Sequence, residues 1–186
     1  MQKVKVFLSA AVLISIHQIA CAQLLAYNNK EQILGAAAIS PESGGKLLEK
    51  LVLRCSQYGD TTRLAGETAM NAWKQRHQNY LDENKIVQQE IMAFVERATV
   101  PEAQKKDLRD TFETGTKNII DAQFKAMEAP ISAMPQVQQK VSICMSYFDS
   151  VNAGKLDLKN NDPVVTKFLD ERINTRKKKL NDQSPQ

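Results

Sequence analysis

Apolar positions in this chain recur three and four apart over most of its length, and Gly and Pro fall between the recurring segments. That spacing is one face of an α-helix, and the interruptions mark where helices end. Ser40-Pro41 predicts the start of a first helix, with Ser as N-cap and Pro at the first helical position. Leu48, Leu51, Cys55 and Tyr58 carry its apolar face until Gly59 stops it. The preceding residues, 23–39, include "EQILGAAAI" and leave open a further short helix packed on the others.

The second helix is the clearest signal. Met70, Trp73, His77, Tyr80, Asn84, Val87, Ile91, Phe94 and Ala98 form a heptad seam, the period at which one stripe faces a partner helix. The segment runs from near Thr62 to Thr99, where "TVPE" predicts a new N-cap at Thr99 with Glu102 completing a capping box. A third helix follows through Leu108, Phe112, Gly115, Ile119, Ala122, Ala126 and Ala129 to Pro130. Ile120, Phe124 and Met127 widen its apolar face, as expected of a helix touching two neighbours.

"APISAMPQ" reads as a connection into a fourth helix carrying Val137, Val141, Cys144, Phe148 and Val151, with a glycine cap at Gly154. Asp162 then caps a last helix, Pro163 opens it, and Val165, Leu169 and Ile173 line it; residues 181–186 read as a disordered tail. The expected fold is all-α: an up-down bundle over residues 40–180, with four main helices plus a C-terminal one. At 1.5 Å per residue the second and third helices run roughly 40–50 Å and the first and fourth about 25–30 Å. The distal ends of the long pair, at Ile91, Phe94, Leu108 and Phe112, then either project as a partner-binding hairpin or lie under the last helix or residues 23–39.

The N-terminus changes the picture of where such a bundle works. "MQKVKVFLSAAVLISIHQIACAQ" has two lysines, an apolar core and Ala20-Cys21-Ala22, the layout of a secretory signal peptide over residues 1–22. Lipid anchoring at Cys21 fits less well, because Gln18 stands where a leucine is usual. Removal of the leader takes Lys3 and Lys5 with it and lowers the formal charge of +4 by two, too weak a balance for nucleic-acid steering. No later segment is apolar enough to span a bilayer. In an exported chain the remaining pair, Cys55 and Cys144, reads as a disulfide. In the chain-entropy account a loop that long stabilises by roughly 4–5 kcal/mol. Both cysteines fall on apolar seams, at levels that an up-down bundle brings together.

Candidate chemistry is sparse. His77 on the second seam, with Asn84 a heptad away, is read either as a polar core residue fixing register or as a ligand in a metal, haem or small-molecule carrier. A second mature histidine is lacking, so the Glu-x-x-His pairs of a di-iron bundle are excluded. Nucleophile elbows, phosphate loops and dinucleotide fingerprints are absent from the sequence, and "GKLDLKNND" fails calcium-loop spacing at Lys159. The basic group Arg172, Arg176, Lys177, Lys178 and Lys179 suits either the C-terminal dipole of its own helix or contact with an anionic surface. The expectation is an exported protein of the cell envelope, without cofactor, that binds another protein as an adaptor, chaperone or inhibitor rather than catalysing a reaction.

Overall fold

Six helices account for nearly all of residues 26–182, the part described by the structure, a computed structural model. They are α1 (Lys30–Ser56), α2 (Asp60–Arg97), α3 (Glu102–Ala133), α4 (Val137–Asn152), α5 (Leu158–Asn161) and α6 (Pro163–Asp182). Among the described residues there is no strand, and the architecture is an all-α bundle as the periodicity predicts. The expected leader with Cys21, and residues 183–186 of the expected tail, lie outside the described residues; 181 and 182 belong to α6.

Contacts fix the directions. Thr62 reaches the Cys55 carbonyl while Asn84 reaches that of Ala37, so α1 and α2 are antiparallel. Lys50 meets Asp121 and Arg54 meets Glu128, which sets α3 parallel to α1. Cys144 is disulfide-bonded to Cys55 across 89 residues with a Cα–Cα distance of 5.8 Å, placing α4 beside the α1–α2 junction. Phe148 then lies on Gly66, where an added Cβ would come within 2.8 Å of the ring.

The interior has two parts. One surrounds the disulfide with Leu51, Met70, Trp73, Phe148 and Val151. The other gathers Ala37, Ala38, Val87, Leu158, Val165 and Leu169, with Ile91 and Phe112 packed at its edge.

Five local expectations are corrected. The first helix starts not at Ser40 but at Lys30, where Asn29 caps it by accepting from the Gln32 N–H at 2.9 Å. Pro41 therefore sits inside α1, lacking the N–H that would bind the Ala37 carbonyl. Asn84 supplies the missing donor at 2.7 Å, and Gln88 donates to the next carbonyl, Ala38, at 2.8 Å. The proline break is thus repaired by side chains from α2.

The Thr99 capping box does not form. Pro101, held extended at φ −56° and ψ 146°, precedes α3, and its carbonyl accepts from Gln104 and Lys105. Glu102 is instead taken by Arg109, which also pairs with Glu96 and closes the α2–α3 tip.

On α3 the inward stripe is Phe112, Ile120, Phe124, Met127 and Ile131, one residue round from the alanine seam; Ala122, Ala126 and Ala129 face outward. The larger side chains bury more apolar area, and they do so against α1 more than α2. Pro130 is accommodated within α3 because Ala126, whose carbonyl it leaves without its usual partner, is exposed. "KLDLKNN" also holds a single helical turn, α5, where a plain connection was expected.

Candidate functional site

The four apolar residues expected at the distal end divide into two pairs. Ile91 and Phe112 are half-buried against the second core part. Phe94 and Leu108 are 71 % and 53 % exposed. The division follows from side rather than length: Val95 and Ala98, further along α2, and Lys105 and Arg109, nearer the tip on α3, are half-buried, while Phe94 and Leu108 lie beside that stripe. Arg109, between Glu96 and Glu102, holds the two helices of the tip together beside them.

His77 and Asn84 are both buried, yet they do not pair with each other. Asn84 serves α1, as above. The His77 ring stacks on Trp73 with centroids 4.1 Å apart. Its Nδ1 faces the Trp73 carbonyl at 2.8 Å and its Nε2 lies 3.0 Å from the Leu158 N–H. An N–H can only donate, so Nε2 accepts and the proton sits on Nδ1, donating to the carbonyl. Burial pushes the imidazole below its ordinary 6.5, despite the opposing pull of the Trp73 carbonyl and Asp157. Both nitrogens of a neutral ring are committed to backbone.

Around it α2 presents one face to the chain between α4 and α5. Trp73 Nε1 donates to the Leu156 carbonyl at 3.3 Å. Arg76 clamps the buried Asp157 through Nε and Nη2, at 3.0 and 2.9 Å, and reaches the Val151 carbonyl at 2.7 Å. Gly154 makes the turn at φ 73°, and an added Cβ there would sit 3.1 Å from the Asp157 carboxylate. The Asp157 role was missed from sequence; Gly-x-x-Asp after a helix, opposite an Arg-His pair, was the available signal.

The basic group at the end of α6 also divides. Arg172 and Arg176 fold back onto Glu83, 3 % exposed, each at 2.8 Å, and Arg172 also holds Glu90 at 2.8 Å. Lys177, Lys178 and Lys179 are exposed. Glu83 was not recognised from sequence, although Glu83 and Glu90 a heptad apart match two arginines four apart. Burial would raise the Glu83 carboxyl, but hydrogen bonds from Arg176 and Arg172 outweigh it and hold it below its ordinary 4.5. A shallow groove of about 300 Å³ lies over these arginines, and another of about 410 Å³ runs between α1 and α3 at Leu53 and Ile120.

Among the described residues no group of three or more His, Cys, Asp or Glu is placed to hold a metal ion, and no helix is long and apolar enough to cross a membrane. No family model, curated protein or solved structure matches the chain.

Proposed function

We propose that this chain is an exported helical-bundle protein of the cell envelope that works by binding another protein at the distal tip of α2 and α3. The observation that carries the reading is the exposure of Phe94 and Leu108, 71 % and 53 %, on seams whose neighbours Ile91 and Phe112 are packed. A buried aromatic anchor with an aliphatic neighbour is the usual energetic centre of a protein interface, and salt-bridged charges at Glu96, Glu102 and Arg109 supply a polar rim. Export agrees with the leader-like residues 1–22 and with a disulfide, which persists in oxidising compartments.

A carrier using the interior near His77 finds less support, because both ring nitrogens already hold protein groups. An anionic-surface role rests on Lys177, Lys178 and Lys179 alone, since Arg172 and Arg176 are engaged with Glu83.

A photo-crosslinking residue at position 94, in the full chain expressed with its leader, is expected to trap one discrete envelope protein. The same residue at Leu64, 54 % exposed elsewhere on α2, is expected not to. Phe94→Asp and Leu108→Asp should abolish that capture with helicity unchanged. Equal trapping at both positions, or none at 94, overturns the reading.

A further inference from the structure

We propose that His77 is an acid-sensitive latch, whose protonation ejects the Leu158 N–H and frees residues 154–162 from α2. The geometry leaves the imidazolium no place. In the neutral ring Nδ1 donates to the Trp73 carbonyl and Nε2 accepts from Leu158. A proton added at Nε2 makes it a donor pointed at another donor, inside a site where His77 is 2 % exposed. The nearest carboxylate oxygen, Asp157 Oδ1, is 4.0 Å from Nε2 and is clamped by Arg76. To accept from the imidazolium, Asp157 Oδ1 must move closer to Nε2 while Arg76 Nη2 holds it at 2.9 Å, so the new contact competes with an old one.

The charges acting on the ring come from several elements. Asp157, before α5, favours the proton; Arg76 on α2 and Lys159 on α5 oppose it; α1, α4 and α6 add nothing larger. Asp170 of α6 bonds the hydroxyl of the neighbouring Tyr80, whose ring is tilted against His77 at 6.1 Å. What the strap holds in place gives the release its consequence. Leu158 packs with Ala37, Ala38 and Val87, so freeing it bares an apolar surface.

The direction follows from linkage. A histidine depressed below 6.5 in the latched state binds its proton more readily when released. The latch is therefore at full strength above 6.5 and weakens as pH falls from there toward the depressed value, below which the loss is complete.

Trp73 is the only tryptophan in the chain and stacks directly on the imidazole, so it reports the event. From about pH 7.5 to about pH 5, its emission should shift to the red as Leu156 departs. Amide exchange over 154–162, corrected for intrinsic rate, should rise about tenfold per unit of pKa depression while residues 60–72 hold. His77→Gln keeps an acceptor and a donor without the titration, and should abolish both changes.

An unchanged acid response in that variant, or none in the wild type, overturns the proposal. If the variant does not fold, the His77 imidazole proton shift in the wild type decides it. A midpoint coinciding with the Trp73 change sustains the latch, and a ring neutral throughout the change overturns it.

Discussion

Asn84 shows how far one side chain can determine what its neighbour helix does. It sits on an apolar seam where leucine would bury more area, and its amide instead finishes the backbone bond that Pro41 cannot make. Asn84→Leu is expected to strand the Ala37 carbonyl and to cost about 1–3 kcal/mol in urea unfolding, although it adds apolar surface. Gly66 is a second such position, since Phe148 Cζ lies 2.8 Å and Val52 Cγ1 3.1 Å from where a Cβ would be. Gly66→Ala is expected to destabilise by about 1–3 kcal/mol through overpacking, despite alanine's better helix propensity. Measured stabilisation in either variant would mean that the surroundings yield more readily than the packing implies. Of the expected site residues, His77 and Asn84 were legible as polar seam positions. Their partners were not, because a carbonyl orphaned by a proline and a single amide N–H leave no residue-type signature.

At the scale of the helix, the heptad seam of α2 and the cysteine levels were legible because they are periodic. Boundaries were not. Ser40-Pro41 looks like a helix start because local preference favours it, and α1 crosses it because α2 compensates 47 residues away in sequence. On α3, counting spacings alone gave two apolar stripes, and the area each could bury chose between them. The attachment of α6 rests on Glu83, and here the electrostatics can be tested. The carboxylate is held below 4.5 by its arginines, so its contribution is complete above that value and is lost as pH falls through the depressed one. Glu83→Gln is expected to cost about 3–5 kcal/mol at neutral pH, because two partly buried guanidinium groups lose their counter-ion. The difference from the parent chain should shrink in acid below 4.5, as followed by circular dichroism. A gap independent of pH would assign the loss to packing.

For the whole molecule, the disulfide is the one covalent constraint among the described residues besides the chain itself. The double substitution Cys55→Ala with Cys144→Ala should lower unfolding free energy by about 4–5 kcal/mol if loop closure sets its value, less if the reduced chain keeps residual order. Urea midpoints of the two forms read this directly. The fold class and this pairing could be anticipated because seam register and cysteine level agree independently, whereas the reach of α1 along the hairpin depended on a start that local preference hides. The sulfur bridge also sits at one end only, within the core part around Leu51 and Phe148, while the part around Val87 and Leu169 has none. Warmed or stretched, the protein should therefore soften from the unpinned end, shedding α6 and the outer hairpin while a stitched stub stays upright.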